Sequence, residues 1–227
     1  MSAHPGKQAA GEWAAAQVQP SMKVGLGTGS TAYYLIRKLG ERVQAGLKIE
    51  AVATSVQTEV LAREAGIPLI ELTADLRLDL VIDGADEIDP AGNLTKGGGG
   101  ALFREKIIAL LAHTYLIIAD DSKAVPVLGQ FPLPVEIVPF GWELTARWVA
   151  ETGCTPVRRM AGTAPYHTDN GNYILDCAYG TIPDPVALHT RLIGITGVVE
   201  TGLFTGMQPR VVLGYADGHI TVDGIPA

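Results

Sequence analysis

One stretch of the chain combines acidic residues, a lysine and a run of glycines. The charged side chains in it that could act on a ligand are Asp83, Asp86, Glu87, Asp89, Lys96 and Glu105. Glycines 97–100 follow the lysine directly, although glycine loses more conformational entropy on folding than any other residue. A fold has little structural use for four consecutive glycines, so the run indicates a backbone that is brought close to a ligand. The alternative is a flexible surface loop whose charges are solvated.

A second motif joins a predicted strand to a predicted helix and reads Gly25-Leu26-Gly27-Thr28-Gly29-Ser30-Thr31. Such a turn points backbone N–H groups and hydroxyls at an anion. A dinucleotide site would need G-x-G-x-x-G and an acid after the next strand, but that strand ends at Thr54-Ser55. The motif therefore predicts a loop that binds a single phosphate group. The alternative is an ordinary strand–helix turn with a hydroxyl cap.

Strands and helices alternate through the first half of the chain. Predicted strands span 23–26, 49–53, 68–72, 78–82 and 115–119, and predicted helices span 7–18, 32–43, 56–65 and 101–113. This alternation predicts an α/β fold with a Rossmann-like, doubly wound, mainly parallel sheet. Loops at the carboxyl ends of such strands meet in one crevice, so we expect loops 27–31, 83–86, 96–100 and 120–123 to gather there.

The predicted helix 101–113 is apolar almost all round, which is typical of a buried helix. Glu105 lies near its beginning, on a stripe that is otherwise small and apolar. This pattern suits a partly desolvated carboxylate. The alternative is a solvated glutamate in the first turn, where the helix dipole favours negative charge.

The pattern changes after Gly129. Strands are predicted at 135–138, 155–160, 173–178 and 197–204, with helices at 142–151 and 185–193. The order β-α-β-β-α-β is that of the ferredoxin-like unit. The strand-like tail 210–222 is expected to rejoin the first part. We therefore predict a Rossmann-like domain of 1–130 plus 205–227 and an inserted α+β domain of 131–204.

Composition narrows the classes of function. The chain has 227 residues, of which 47% are hydrophobic and 18% charged, as in a compact soluble protein. The formal charge of -7 and the lack of a basic run argue against a nucleic-acid partner. The sequence has no signal peptide and no apolar run that could span a membrane, so a cytoplasmic protein is expected. Two cysteines and five histidines without ligand spacing predict no metal site.

Several separate blocks, in this order along the chain, resemble ribose-5-phosphate isomerase of the A type. The blocks are Gly25-Leu26-Gly27-Thr28-Gly29-Ser30-Thr31, Asp83-Gly84-Ala85-Asp86-Glu87, Lys96-Gly97-Gly98-Gly99-Gly100-Ala101, Arg104-Glu105-Lys106, Asp120-Asp121-Ser122-Lys123 and Phe131-Pro132-Leu133-Pro134-Val135-Glu136. The resemblance covers essentially the whole chain. It implies a homodimer or tetramer that needs no metal or cofactor. One departure is visible, because relatives often have alanine where Gly100 stands.

The resemblance implies interconversion of ribose 5-phosphate and ribulose 5-phosphate in the non-oxidative pentose phosphate pathway. An aldose–ketose isomerisation moves a proton between adjacent carbons through an enediolate, which needs a carboxylate base and donors at the developing oxyanion. The resemblance makes Glu105 the base and Lys96, with the glycine-loop N–H groups, the oxyanion stabiliser. It assigns Asp83 and Asp86 to the sugar hydroxyls and to opening of the furanose ring. Substrate and phosphate binding is further assigned to Lys7, Thr28, Gly29, Ser30, Thr31, Gly84, Ala85, Gly97, Gly98, Gly99 and Lys123.

Two other functions are compatible with parts of the pattern. A related sugar-phosphate deaminase or lactonase could use the same fold, but a deaminase should need a catalytic histidine near its acids. No histidine lies within the four candidate loops. A sugar-phosphate sensor domain could keep the phosphate loop, but it has no need for Glu105 beside Lys96.

The lack of clustered His and Cys ligands leads to a first prediction. Dialysis of the protein against a strong chelator should leave isomerase turnover unchanged, because an enediolate can be stabilised by fixed donors alone. Turnover that disappears with the chelator and returns with a divalent ion would show that the prediction is wrong.

Overall fold

The computed structural model describes residues 4–226. Its helices are α1 (Pro5–Gln17), α2 (Ser30–Gln44), α3 (Val56–Glu64), α4 (Leu102–Ala109), α5 (Trp142–Ala150) and α6 (Pro185–Ile193), and a 3₁₀ turn spans Asp121–Lys123. Its strands are β1 (Lys23–Leu26), β2 (Glu50–Ala53), β3 (Leu78–Asp83), β4 (Glu87–Ile88), β5 (Leu94–Thr95), β6 (Ala112–Asp120), β7 (Leu133–Ile137), β8 (Thr155–Arg158), β9 (Met160–Ala161), β10 (Ala164–Pro165), β11 (Tyr173–Ala178), β12 (Val198–Thr201), β13 (Leu203–Phe204), β14 (Arg210–Gly214), β15 (Ile220–Val222) and β16 (Ile225–Pro226).

A seven-stranded sheet organises the first of two compact units. This unit comprises the chain up to Ala85, Arg104–Lys123 and the residues from Gln208 onward. The strand order is β16-β15-β14-β6-β3-β1-β2, and the five strands from β14 to β2 are parallel. The predicted doubly wound sheet is confirmed, and so is the return of the tail to it as β14 and β15.

The sheet of the first unit is covered on both faces, which explains why its strands are nearly continuous apolar runs. Val24, Leu26 and Ile82 on one face pack with residues of α1 and α2 such as Ala14 and Leu35. On the other face, a Cβ added at Gly25 would lie 2.7 Å from Val81 and 2.8 Å from Ile108 of α4. The missing side chain thus lets α4 approach the sheet closely.

The second unit, 86–103 and 124–207, contains a four-stranded antiparallel sheet. Its strand order β12-β7-β11-β8, with α5 and α6 in the connections, is the predicted ferredoxin-like arrangement. A core that includes Val135, Leu175, Val149 and Leu192 lies between the sheet and the helices. Helix α6 begins as its sequence indicates, because the Asp184 side chain accepts a hydrogen bond from the N–H of Ala187.

Two predicted elements are wrong in extent. Segment 68–72 is not a strand: it meets β2 only at an isolated bridge between Ala51 and Leu69. Proline at 68 has no N–H to donate to a ladder, so the segment stays at the sheet edge. Helix α4 ends at Ala109 instead of 113, because β6 begins at Ala112, opposite the start of β3. The β-branched and aromatic residues that follow favour the strand.

The compact units divide the chain differently from the predicted domains. Residues 86–103, 124–130 and 205–207 cluster with the second unit, whereas the predicted division placed them in the Rossmann-like domain. The short sheet β13-β5-β4 accounts for part of this difference, because it pairs β5 with β13 from the end of the second unit. The domain division at 130/131 and 204/205 stays a prediction.

Glu87 is a structural residue of the second unit. It is 2% exposed, and its carboxylate accepts hydrogen bonds from the Thr95 hydroxyl at 3.0 Å and from the N–H groups of Gly129 and Phe131, each at 2.8 Å. These bonds tie the β4–β5 hairpin to the segment before β7. The carboxylate that looked available for ligand chemistry in the sequence is therefore engaged within the fold.

This engagement predicts a loss of stability in Glu87→Gln. The amide can accept at only one atom and turns its NH₂ group toward a backbone donor, which should lower the free energy of unfolding by about 1–3 kcal/mol. Denaturant unfolding measures the change. Glu151→Gln, at an exposed position of the same unit, is the matched control and should change little. Equal stability of the two variants would contradict the assigned role.

Candidate active site

The predicted phosphate loop lies where strand and helix meet in the first unit. Strand β1 ends at Leu26, and α2 begins at Ser30 and runs for 15 residues. Gly29 and Ser30 are exposed, whereas Thr31 is 8% exposed. The N–H groups at the start of a long helix carry partial positive charge, so this loop can hold an anion such as a phosphate group.

Asp83 at the end of β3 holds this loop in place. The residue has no exposed surface, and its Oδ1 accepts the N–H of Thr28 at 3.1 Å and that of Gly84 at 2.7 Å. A Cβ at Gly27 would collide with the Asp83 carboxylate and lie 2.5 Å from its Cα. Glycine at 27 is therefore required for the two strand ends to approach each other this closely.

The Thr28 side chain points into a cluster of hydroxyl groups. Its Oγ1 lies 2.8 Å from the Thr54 and Ser55 hydroxyls and 3.0 Å from that of Thr58. The Thr58 hydroxyl also donates to the Gly27 carbonyl at 3.0 Å, and that of Thr54 donates to the Leu26 carbonyl at 3.0 Å. Thr28 stays predicted to contact the phosphate, and in this structure its hydroxyl braces the loop from inside the unit.

Lys7 of α1 reaches the same loop. Its Nζ donates to the Ser30 hydroxyl at 3.1 Å and lies 3.7 Å from Oδ2 of Asp120, at the end of β6. Burial acts to raise the pKa of Asp120, but the Ser122 hydroxyl and the charges of Lys7 and Lys123 outweigh it and hold that pKa below its ordinary value. Asp120 is therefore anionic at neutral pH and provides a negative charge beside both predicted phosphate-binding lysines.

Glu105 lies in the first turn of α4 and is 4% exposed. The burial expected from the apolar stripe is confirmed, since Ala101 and Ile108 are also buried. A carboxylate in such a position is suited to take a proton from carbon, which is a weak acid.

Asp86, Lys96 and the glycine loop belong to the second unit. Oδ2 of Asp86 accepts the N–H of Gly98 at 2.7 Å, and the N–H of Gly100 donates to the Gly97 carbonyl at 2.9 Å to close a turn. Lys96 is 2% exposed, its N–H donates to the Gly202 carbonyl at 2.8 Å, and its Nζ lies 5.5 Å from the centre of the Phe204 ring. The glycine loop is therefore folded into a defined turn whose tip, at Gly98 and Gly99, is exposed.

Three of the four loops predicted to meet at the strand ends have residues in the first unit, and the meeting of all four stays a prediction. Loops 27–31, 83–84 and 120–123 are joined within the first unit by the contacts of Asp83 and Lys7. The fourth predicted loop, 96–100, lies in the second unit with Asp86. Ala85 is the last residue of the first unit before the chain passes to Asp86.

Several residues around these loops were missed by sequence reasoning. They are Thr54, Ser55 and Thr58 of the hydroxyl cluster, Asp120, Arg159 and Tyr166. A signal existed for the first two, because Thr54 and Ser55 directly follow β2 at the carboxyl edge of the sheet. Asp120 likewise ends β6. Arg159 and Tyr166 carry no such signal.

Within residues 4–226, no group of three or more His, Cys, Asp or Glu side chains is placed to hold a metal ion. Over the same residues, none of the helices has the length and apolar character needed to cross a bilayer.

The fold and the site are typical of α/β proteins that act on small phosphorylated molecules, with the anion at a helix start at the carboxyl edge of the sheet. Residues 50–218 match the family model of ribose 5-phosphate isomerase A (phosphoriboisomerase A). Ribose-5-phosphate isomerase A 1 of Oceanobacillus iheyensis is 53% identical, over 93% of this chain and 95% of the relative. The chain therefore belongs to the ribose 5-phosphate isomerase A family.

Solved structures agree with this assignment. Ribose 5-phosphate isomerase from Plasmodium falciparum matches with a TM-score of 0.92 and 37% identity, over 95% of this chain and 96% of that chain. A D-ribose-5-phosphate isomerase in complex with phospho-erythronic acid matches with a TM-score of 0.90 and 36% identity, over the same shares.

The hydroxyl cluster predicts a binding defect in Thr58→Val. The substitution keeps the shape of the side chain but removes the bonds to Thr28 and to the Gly27 carbonyl. Each such bond contributes about 0.5–1.5 kcal/mol, so affinity for inorganic phosphate should fall by about two- to tenfold. Calorimetric titration measures it.

Two further variants test whether this loss is specific to the loop. Thr58→Ser restores the hydroxyl and should restore affinity. Thr145→Val removes another buried threonine hydroxyl, which donates to the Thr196 carbonyl at 3.3 Å in the second unit, and should leave phosphate affinity unchanged. Wild-type affinity in Thr58→Val would show that the cluster does not brace the loop.

Proposed function

We propose that this protein interconverts ribose 5-phosphate and ribulose 5-phosphate through an enediolate. The observation that carries the proposal is the buried carboxylate of Glu105, in the same unit as a phosphate-type loop held by Asp83. Family membership at about half identity over nearly the whole chain supports the same reaction.

Glu105 is the proposed base. Its carboxylate takes the proton from C2 of the open-chain aldose, the electrons of that C–H bond form the C1–C2 double bond, and the carbonyl oxygen at C1 becomes the oxyanion. Return of the proton to C1, together with transfer of a proton from O2 to O1, gives the ketose. A carboxylate that is nearly without contact to water can keep the proton for its return.

Lys96 and the N–H groups of the glycine loop are the proposed donors to the enediolate oxygens. The ammonium group supplies positive charge, and a fixed N–H dipole needs no reorientation as the oxyanion develops. Asp86 fixes the loop by accepting the Gly98 N–H, in addition to its proposed contact with the sugar hydroxyls. Asp83 is proposed to share that role.

The phosphate group is proposed to bind at the start of α2. Its contacts come from the backbone at Gly29, the hydroxyls of Ser30 and Thr31, and the cations Lys7 and Lys123. Remaining contacts to the sugar are proposed for Gly84, Ala85, Gly97, Gly98 and Gly99. Thr28 is also proposed to contact the phosphate, and it braces the loop through its hydroxyl and its N–H.

The resemblance further leads us to propose a cytoplasmic homodimer or tetramer without a resident metal or cofactor. The formal charge of -7 supports a small-molecule substrate over a nucleic-acid partner. The two lysines proposed to bind the phosphate, Lys7 and Lys123, lie near Asp120, whose negative charge offsets theirs.

Glu105→Gln tests the proposed base. Glutamine keeps the size and polarity of the side chain but cannot accept the proton from C2, so kcat should fall on the order of 10²–10⁴-fold or more. Any exchange of the C2 proton of ribose 5-phosphate with deuterated solvent that the wild type catalyses should stop as well. Affinity for inorganic phosphate should persist, because its contacts lie in other segments.

Glu64→Gln, at an exposed position on α3, is the matched control and should keep full activity. Melting temperatures of both variants establish that they are folded. A folded Glu105→Gln that turns over within about tenfold of wild type, a change of only about 1.4 kcal/mol, would remove Glu105 from the role. Asp83 and Asp86 would then be the next candidates.

A further inference from the structure

Arg159 holds the back of the glycine loop, although no motif marks it. Its Nη1 donates to the carbonyl of Gly97 at 3.0 Å and to that of Gly98 at 3.1 Å. Its other nitrogens face Asp176: Nε lies 3.0 Å from Oδ2 and Nη2 lies 2.5 Å from Oδ1. A guanidinium group is planar and rigid, so a bidentate pair with a carboxylate fixes where its remaining N–H groups point.

Asp176 is a firm anchor for this guanidinium. It lies on β11, which is bonded to β7 on one side and to β8 on the other. In that ladder Asp176 is opposite Pro134 and Val157. Arg159 therefore connects the glycine run to the centre of the four-stranded sheet.

The position of a carbonyl decides where the next N–H points. Among the described residues no peptide bond is cis, and in a trans peptide the C=O and N–H groups point in opposite directions. Because Arg159 takes the carbonyls of Gly97 and Gly98, the N–H groups of Gly98 and Gly99 point away from it. The Gly98 N–H is bonded to Asp86 at 2.7 Å, which leaves the Gly99 N–H as the donor that this arrangement aims outward.

Tyr166 holds the following carbonyl. The hairpin of β9 and β10 returns the chain so that the Tyr166 N–H donates to the Arg159 carbonyl at 3.0 Å. The Tyr166 hydroxyl then donates to the Gly99 carbonyl at 3.4 Å. Burial raises the pKa of Tyr166, so this hydroxyl stays protonated and remains a donor at neutral pH.

This tyrosine also explains the glycine at position 100. Gly100 has a φ of +83°, and a Cβ there would collide with the Tyr166 hydroxyl and lie 2.6 Å from the ring carbon that bears it. An alanine at position 100 is therefore incompatible with the position of Tyr166 in this chain. The absence of a side chain at Gly100 thus allows Tyr166 to reach the Gly99 carbonyl.

We propose that Arg159 is a positioning residue that aims the N–H of Gly99 at the enediolate oxygen of the substrate. The inference rests on the proposed function. Four glycines have the greatest freedom of any tetrapeptide, and an unheld loop samples many N–H directions. Arg159 and Tyr166 fix three successive carbonyls, and this leaves one direction for the N–H group of Gly99. The N–H is then the preorganised dipole that oxyanion stabilisation requires.

The variants Arg159→Ala and Arg159→Lys test the proposal. The measurements are kcat and KM for ribose 5-phosphate, together with the inhibition of each variant by phospho-erythronic acid and by inorganic phosphate. Phospho-erythronic acid has a carboxylate at the position of the reacting carbons, so its binding probes the oxyanion donors. Inorganic phosphate probes only the phosphate loop. We expect kcat to fall by up to about 10²-fold, as for a misplaced catalytic donor. Inhibition by phospho-erythronic acid should weaken in parallel, and inhibition by inorganic phosphate should not change.

Arg191→Ala is the matched control. Arg191 also donates to two backbone carbonyls in the second unit, those of Glu151 at 2.6 Å and Thr152 at 3.5 Å, but it touches no part of the glycine loop. This variant should keep wild-type kinetics even where its melting temperature falls. Asp176→Asn should lower kcat in the same direction as Arg159→Ala, and the double variant should be no worse than Arg159→Ala alone.

Failure of the positioning role and failure of the proposed function give different results. A wild-type protein that does not convert ribose 5-phosphate would overturn both. An active wild type with unchanged kcat in folded Arg159→Ala or Arg159→Lys would overturn the positioning role alone. Equal losses of inhibition by phospho-erythronic acid and by inorganic phosphate would do the same, because they indicate a general loss of structure.

Discussion

The phosphate loop depends on the carboxylate of Asp83. One of its oxygens accepts the N–H groups of Thr28 and Gly84, so the ends of β1 and β3 are tied together at the edge where the sheet is open. The ends of β1 and β3 can approach each other this closely only because Gly27 has no side chain. Buried charge is costly unless it is bonded, and here the backbone donors supply the bonds. The hydroxyls behind Thr28 and the cation of Lys7 complete an arrangement in which the loop has little freedom.

The second unit applies the same principle with the signs exchanged. There the loop offers carbonyls and the fixed group is a cation, Arg159, which the sheet holds through Asp176. Asp86 accepts a hydrogen bond from the N–H of Gly98, and the Tyr166 hydroxyl donates one to the carbonyl of Gly99. Glycine permits the backbone of this loop to come close to a ligand, but it does not specify a conformation. Side chains from distant parts of the chain supply that specification.

The acids of the chain serve different purposes, although they look alike in the sequence. Asp86 and Glu87 are adjacent, yet Glu87 is fully engaged by donors of its own unit and Asp86 is bonded to the glycine loop. Glu136 is also buried, where its Oε1 accepts from Thr168, Asn170 and Asn172. Asp120 is an acid whose pKa stays low because two lysines and a hydroxyl favour its anion. The residue type therefore indicates a candidate for the functional site, and the hydrogen-bond and charge partners of the side chain decide its role.

The sequence by itself determined the alternating strands and helices, the ferredoxin-like order of the second half and the motif blocks of the family, because these follow from local periodicity, turn residues and spacing. It also predicted the burial of Glu105, since an all-apolar helix has to be covered. The tertiary structure alone decided that α4 stops at Ala109, that Thr28 turns inward, and that Arg159 and Tyr166 hold the glycine loop. These outcomes rest on contacts between residues 26 to 67 positions apart, such as Thr28 with Thr54 and Tyr166 with Gly99. Such contacts leave no periodic trace in the sequence, because their partners become neighbours only when the chain is folded.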